Sequence, residues 1–519
     1  MRPILTPAEA VELDRAAQAR GIAAADLMER AGEAVARAAE DLAGGAYGRR
    51  AVVVCGKGNN GGDGFVAARL LARRGMRVDV LTLEPVDELR EPAATNARRL
   101  REIDARVLSF SPAAAGRALE RADVAIDAIF GTGFRGTPED GFAEAIDALN
   151  EAGAMVVAVD IPSGVNGETG SVEGEAVWAE ATVALGAEKV GTVLPPGAER
   201  AGFIEVADIG YPRDLIHADI ALVESVDVAT RLPAREADTH KRATGVVLVV
   251  GGSREMTGAM RLVGTAAYRI GAGLVTIAVP RDVAVVVQQG LAEATYLPLP
   301  ETAAGGVARG ALGELLEAAS RVDAVALGPG MGRADETAEL VRAFVRESPA
   351  PMIIDADALN AFEARAGELS ERRSDAVLTP HAGEFSRLSG ASVREISSDR
   401  VGHVRKLAAS TGAVVLLKGS RTVIGSPDGF VRVNATGTSV LATAGSGDVL
   451  TGAIGGLVAR GLEAADAASA GAFLHGVAGH LAGRATGDGT MASDIAARLP
   501  EAVRDVLESA GDGSRWRET

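Results

Sequence analysis

Apolar strands that run into glycine-rich loops and then into helices begin at Ala51, and the same alternation restarts at Gly245. Parallel strands joined by helices need cover on both faces of their sheet, so this order restricts the chain to an α/β architecture, doubly wound in its first half. In that half Ala51-Val52-Val53-Val54-Cys55 is a buried strand, GKGNNGGDG (56–64) a loop, and Phe65 to Arg74 a helix. Two helices over 7–20 and 24–43 precede it, and strands are expected at 78–83, 124–129, 155–159 and 203–207. The second half is expected to carry strands at 246–250, 274–279, 323–327, 352–355, 376–378 and 413–417. Its helices fall at about 257–271, 308–320, 334–346 and 397–411, and Ser426-Pro427-Asp428-Gly429 joins 421–425 to 430–433 in a hairpin. The first domain is placed at 1–212 and the second at 241–512. Residues 213–240 mix charge, apolar residues and Pro233 without a long period, and are expected to form a partly packed linker.

With 519 residues, 47% of them hydrophobic, the chain has material for more than one core. A net charge of −17 without a basic cluster argues against nucleic acid or an anionic membrane as partner. The single cysteine, Cys55, excludes an internal disulfide, and no CxxC or His-rich tract points to zinc. Glu9, Glu12 and Asp14 stand where a signal peptide would need an apolar run, and no uncharged apolar span is long enough for a bilayer, so a cytoplasmic location is expected. Of 53 basic residues only five are lysine, at 57, 189, 241, 406 and 418. Where arginine serves almost everywhere, a retained lysine marks a candidate compact charge or titratable amine.

Polar residues gather at the expected strand ends. Asn59, Asn60 and Asp63 follow the first strand, Asp127 and GTGFRG (131–136) end the third, and Asp160-Ile161-Pro162-Ser163-Gly164 ends the fourth. In an open parallel sheet such ends lie along one crevice. In the second half the same part falls to Gly251-Gly252-Ser253, Gly328-Pro329-Gly330, Asp355 with Asp357, Thr379-Pro380-His381 with Glu384, and Lys418-Gly419-Ser420-Arg421-Thr422. Those ends make a cleft sized for two large ligands. Asn434 to Gly452, NATGTSVLATAGSGDVLTG, turns at Gly445-Ser446-Gly447-Asp448 into an apolar helix closing at Gly461. Converging backbone N–H groups at a helix N-terminus make an anion hole. Asp448 beside it is either a helix cap or a base for a hydroxyl being phosphorylated.

GKGNNGGDG, IDAIFGTGFRG, VDIPSGVNGETG and TVALGAEKVG resemble, in order and spacing, the epimerase domain of the bifunctional NAD(P)H-hydrate repair enzymes, over roughly residues 1–212. The resemblance implies a Rossmann-like domain in which Asn60, Asp127 and Ser163 hold a potassium ion. It further implies that Asn59, Asn60, Gly61, Gly62 and Asp63, then Gly131, Thr132, Gly133, Phe134, Arg135, Gly136 and Thr137, and Asp160 contact the hydrated dinucleotide. Asp160 is then the acid/base, with Lys189 as its catalytic neighbour. From about 219 to 510, GGSREMTGA, LGPGMG, DADAL, LTPHAGEFSRL, VLLKGSRT and NATGTSVLATAGSGDVLTG resemble the ADP/ATP-dependent NAD(P)H-hydrate dehydratase domain, of ribokinase-like α/β/α fold. This implies that Lys418, Gly419, Ser420, Arg421 and Thr422, with Gly445, Ser446 and Gly447, bind the adenine nucleotide. Ala259, Gly330, His381 and Asp448 would contact the hydrate, Asp448 as the base. Two departures stand out: Ala444 replaces the family's usual glycine, and Thr438-Ser439-Val440 its Asn-Pro-Gly or similar. Because alanine tolerates positive φ poorly, the nucleotide turn is expected to sit slightly differently.

The implied function is metabolite repair. Water added across the C5–C6 bond of reduced nicotinamide gives NADHX or NADPHX, with a C6 hydroxyl of either configuration. The second domain is expected to phosphorylate the S hydroxyl from ADP or ATP with Mg²⁺, so that phosphate leaves and NAD(P)H returns, while the first interconverts R and S. One rival is a vitamin or sugar kinase with a fused non-catalytic nucleotide-binding domain. Another gives the first domain only a sensing or scaffolding role. A homo-oligomer is expected.

Overall fold

The computed structural model describes residues 1–509 apart from 101, 104, 236, 237 and 239. The chain forms two compact units, one of Pro3–Ile220 and one that begins at Ala221 and includes Met1 and Arg2. The expected domain end at residue 512 lies outside the described residues. No helix among the described residues is long and apolar enough to cross a membrane.

The N-terminal unit is built on a seven-stranded parallel sheet in the order Ala105–Ser109, Arg77–Thr82, Arg50–Cys55, Val124–Ala128, Met155–Val159, Ala181–Leu185, Phe203–Ala207. The chain winds outward from Arg50–Cys55, then returns to Val124–Ala128 on that strand's other side. Strand order therefore reverses between these two neighbours, and in open α/β sheets ligands bind at the carboxyl ends beside such a reversal. Arg50–Cys55 and Val124–Ala128 are buried almost throughout, as near-continuous Val/Ile/Ala runs require when helices cover both faces.

One boundary departs from the sequence expectation. The helix after the first strand spans Asn59–Arg73, so NNGGDG is its first turns and not a loop ending at residue 64. Glycine costs a helix about 1 kcal/mol per residue, which is why the stretch reads as loop. Close packing overrides that cost: a Cβ on Gly61 would lie 2.0 Å from the Gly56 carbonyl oxygen, and one on Gly62 2.4 Å from Met28 Cε.

The second unit carries a sheet in the order Thr295–Leu299, Leu274–Pro280, Val246–Val250, Ala324–Leu327, Met352–Ile354, Ala376–Leu378, Val414–Leu417, Thr422–Gly425, Val431–Asn434. Pairing is parallel up to Val414–Leu417 and antiparallel through the final hairpin. Thr295–Leu299 escapes sequence reading because Pro298 argues against a strand, and it is tolerated because the strand is an edge. Helices Gly258–Arg269 and Ser446–Ala459 pack closely along their length, since Gly452 and Gly456 present bare backbone to the former: a Cβ on Gly452 would meet the Val263 oxygen at 2.1 Å. That contact brings two helix N-termini to the same end of the sheet. Residues 213–240 hold more structure than a linker suggests, with strand Ile220–Leu222 and helix Ser225–Arg231, the latter packed against helices Ala464–Thr486 and Ala492–Ser509.

Candidate active sites

In the N-terminal unit three loops meet at the strand-order reversal. Asp127, one residue from its strand's end, is fully buried; its carboxylate accepts hydrogen bonds from Ser163 N (2.7 Å), Ser163 Oγ (2.6 Å) and Ile129 N (3.2 Å). Phe130 ties the cluster together: its amide donates to Ser163 Oγ at 2.9 Å and its carbonyl accepts from Asn60 Nδ2 at 2.8 Å. Asn60, Asp127 and Ser163, far apart in sequence, thus form one oxygen-rich cluster. No ion pair among the described residues involves Asp127, and burial pushes its pKa up to about 6 despite three hydrogen bonds. A buried carboxylate surrounded by neutral oxygens and lacking a cationic partner has the donor chemistry for a monovalent cation. Among the described residues no three His, Cys, Asp or Glu side chains group as a metal cage.

Beside this cluster lies a cavity of about 210 Å³ whose lining includes Asn59, Asn60, Asp63, Gly131, Thr132, Asp160 and Lys189. Asp160 follows strand Met155–Val159 at φ 65°, a conformation that costs a non-glycine residue about 1–3 kcal/mol and persists only where its surroundings dictate it. Here they do. Its amide donates to Val183 O (2.8 Å), and its Oδ1 accepts from Leu185 N (2.9 Å) and pairs with Lys189 Nζ, which also donates to Leu185 O (2.7 Å). Lys189 is 2% exposed, so this pair is withdrawn from solvent. Asp63, opposite in sequence but on the same lining, has its carboxyl pushed well above the usual range by burial and then by the charges of Asp160 and Asp14, with Lys189 opposing. Gly61 and Gly62 are buried beneath the site, and Arg135, paired with Glu168, lies off the cavity lining together with Gly136 and Thr137. Asp14 and Tyr211 line the cavity joined by a hydrogen bond; sequence reading missed both, because their contact spans nearly the whole unit.

In the second unit Gly445 adopts φ 86° and Ser446 begins the helix, so the candidate anion turn opens the helix as its glycines lead one to expect. Ala444 is not among the residues with positive φ, so its backbone carries no left-handed strain. Lys418 Nζ stands at this turn, 3.5 Å from where a Cβ on Gly447 would be. It pairs with Asp355 Oδ1 (2.8 Å) and Glu384 Oε2 (3.7 Å). Asp355 Oδ2 accepts from Thr451 Oγ1 at 2.6 Å, tying the lysine strand to the helix that carries Asp448. Burial would raise the Asp355 carboxyl, but Lys418 and the hydrogen bonds reverse that and hold it below the usual range. Asp448 has no such relief: burial first, and the Asp355 charge second, push it to about 7, with Lys418 opposing. A carboxylate poised near neutrality beside an anion hole matches what general-base catalysis requires.

His381 caps helix Ala382–Ser389, its Nδ1 accepting from Gly383 N (3.0 Å) and Glu384 N (3.3 Å), and its Nε2 lies 3.5 Å from Glu384 Oε1. Glu384 therefore links His381 to Lys418. Ala259 and Gly330 meet, the glycine's absent Cβ falling 3.4 Å from Ala259 Cβ, and Gly330 takes φ 66°. The loop Lys418–Thr422 is braced by Arg400, which donates to Ser420 O at 2.6 Å, while Arg421 sits at φ 55°. His475, buried in helix Ala464–Thr486, lies 3.1 Å from Ser446 Oγ; burial lowers its pKa to about 4, so the imidazole is neutral. Arg400 and His475 carry no motif of their own and are found only by their contacts.

Fold and sites together define a two-centre α/β enzyme of nucleotide chemistry, with an oxygen-lined cleft in a Rossmann-like unit and a carboxylate beside a phosphate turn in a ribokinase-like one. The family described as NAD(P)H-hydrate dehydratase matches residues 247–501, and the YjeF-related protein N-terminus matches 24–191. The bifunctional NAD(P)H-hydrate repair enzyme of Moorella thermoacetica is 43% identical over 97% of this chain and 97% of its own length, and that of Thermofilum pendens 42% identical over 96% and 95%. A solved structure, Bacillus subtilis ADP/ATP-dependent NAD(P)H-hydrate dehydratase co-crystallised with ATP and Mg²⁺, is 31% identical, covering 54% of this chain and 96% of its own, with a TM-score of 0.47. The chain belongs to the family of bifunctional NAD(P)H-hydrate repair enzymes.

Proposed function

We propose that the two sites divide hydrate repair between them. The Asp448 site dehydrates the S hydrate of NADH or NADPH at the expense of ADP or ATP, and the Asp160 site interconverts R and S. The observation that carries the first assignment is the raised pKa of Asp448 at an anion turn whose single lysine is already held by two carboxylates. Asp448 takes the proton of the C6 hydroxyl as it attacks the terminal phosphate. The N–H groups of the Gly445–Gly447 turn and Lys418 Nζ stabilise the charge that develops. Phosphate then leaves C6 as the C5 proton is lost, restoring the ring double bond. Asp355 and Glu384, gathered about Lys418, are the carboxylates that would meet a phosphate-bound Mg²⁺, which supplies further charge neutralisation when present. In the first unit the Asp160–Lys189 pair takes the proton of the C6 hydroxyl as the C6–N1 bond opens to an aldehyde, and returns it when N1 closes on the other face and inverts C6; Asn60, Asp127 and Ser163 are the residues that would hold a potassium ion. Among the two unit assignments and their rivals, recovery of reduced-nicotinamide absorbance from a mixed R/S NADH hydrate preparation decides. Complete recovery with ADP or ATP, Mg²⁺ and K⁺ is expected, and comparing the nucleotides identifies the donor. A stop at the S fraction would leave the first unit as a sensor or scaffold, and a stable phosphorylated product would favour the kinase reading.

Potassium has its own test. Because the Asp127 pKa is raised in the folded protein, this carboxyl favours folding below its unfolded value of about 4, and that stability is lost as pH rises through about 6. A cation bound to the ionised carboxylate restores it. At pH 8, K⁺ is expected to raise the thermal midpoint of the unaltered protein relative to a tetramethylammonium salt, and to leave Asp127→Asn unmoved; equal responses would remove Asp127 from the cation site.

A further inference from the structure

Arg400, the first residue of helix Arg400–Thr411, approaches the loop Lys418–Thr422 from outside that loop's motif. Its Nη1 donates to Ser420 O at 2.6 Å, and its Nη2 lies 3.3 Å from where a Cβ on Gly419 would be. The guanidinium therefore lies along the two residues that follow Lys418. Burial pushes its pKa down to about 10, and no neighbouring carboxylate opposes that effect. Asp399, next to it in sequence, turns its carboxylate onto its own helix, where Oδ1 accepts from Gly402 N at 2.8 Å. Among the described residues no ion pair involves Arg400.

The other arginines of this unit whose charge burial disfavours are satisfied by the protein itself. Arg372 donates to Leu369 O (2.6 Å) and Thr411 O (2.5 Å) and feels the charge of Asp375. Arg432 faces Asp466 at 3.7 Å, and Arg460 donates to Ile270 O (2.9 Å) and Pro233 O (2.6 Å). Arg400 has one carbonyl among the described residues, which engages one of its five N–H groups. Bracing a loop asks only for a neutral donor, whereas a guanidinium withdrawn from water asks for an anion. The phosphoryl donor brings one. Lys418 Nζ stands at Gly447, in the turn assigned to the transferred phosphate, and Arg400 stands one to two residues further along the loop. We infer that Arg400 is a further residue of the donor site, binding the phosphate next to the one transferred. The inference rests on the dehydratase reading above. The planar fork of arginine matches phosphate oxygens, and a charge-assisted hydrogen bond of this kind is worth roughly 10- to 150-fold in binding.

The test compares binding of ADP and of adenosine, which lacks every phosphate, to the full chain, alongside steady-state dehydration of the S hydrate of NADH. Arg400→Gln keeps a donor for Ser420 O and removes the charge, and Arg400→Lys keeps the charge without the fork. Arg400→Gln is expected to weaken ADP binding about tenfold or more and leave adenosine binding as it was, with Arg400→Lys recovering part of the loss. In turnover KM for the nucleotide rises by a similar factor, while KM for the hydrate and R/S interconversion hold. Equal weakening of ADP and adenosine reduces Arg400 to a brace of the loop, and no weakening of either removes it from the site; both overturn the inference while leaving the dehydratase in place. Failure of the unaltered protein to bind ADP or ATP removes the underlying reading and this residue's role with it.

Discussion

Asp448→Asn lowers dehydration of the S hydrate by roughly 10²–10⁴-fold, the usual contribution of a positioned general base, while R/S interconversion continues unchanged. Asparagine keeps the size and a helix-compatible backbone at this position in the first turn of Ser446–Ala459, so the fold and the anion turn survive and only the proton acceptor is lost. The same assignment fixes the pH dependence. The base works ionised, and in the free enzyme its pKa is about 7, so kcat/KM rises with pH up to about 7 and levels off above it. The sign follows from the cause: burial and the Asp355 charge favour the protonated carboxyl, and protonation removes activity on the acid side. Single-turnover formation of NADH from purified S hydrate across pH 5–9 checks both claims. Substantial turnover in Asp448→Asn, or an acid limb that persists unchanged in it, assigns the base elsewhere.

The second large effect belongs to Asp160→Asn. Asparagine is among the few residues that accept φ 65°, and it retains an acceptor for the Leu185 amide, so backbone strain does not confuse the outcome. What disappears is the charge opposite Lys189, an ammonium only 2% exposed. Breaking a buried pair from one side costs about 3–5 kcal/mol. Interconversion of the hydrates is expected to fall by roughly 10²–10⁴-fold, with the thermal midpoint of the N-terminal unit lowered and dehydration of the S hydrate retained. Following R hydrate consumption alongside a thermal scan separates the two effects. If R hydrate is consumed at the original rate, the first unit has no chemistry at Asp160, and the sensing or scaffolding role gains ground.

Local features were legible without coordinates. The Gly445–Asp448 turn could be read because a glycine at positive φ followed by an apolar helical period is a property of consecutive residues, and the strand ends because short Val/Ile/Ala runs between glycines state their own burial. The alternation of those runs determined the α/β class, and the matching motifs named the chemistry. Tertiary structure decided everything that depends on residues meeting across the chain. It drew Asn59–Asp63 into a helix, because packing against Gly56 and Met28 outweighs the poor helix propensity of glycine. It joined Asp355 to Lys418 and Thr451, 63 and 96 positions away, and it raised the pKa of Asp448 first by burying it and then through the Asp355 charge. It seated His475 on Ser446 and Arg400 on Ser420, residues without any motif. Sequence by itself determines which backbone shapes and donor groups are available. Only the fold sets their burial and mutual distance, and it is these that turn an ordinary carboxylate into a base or the partner of a buried cation.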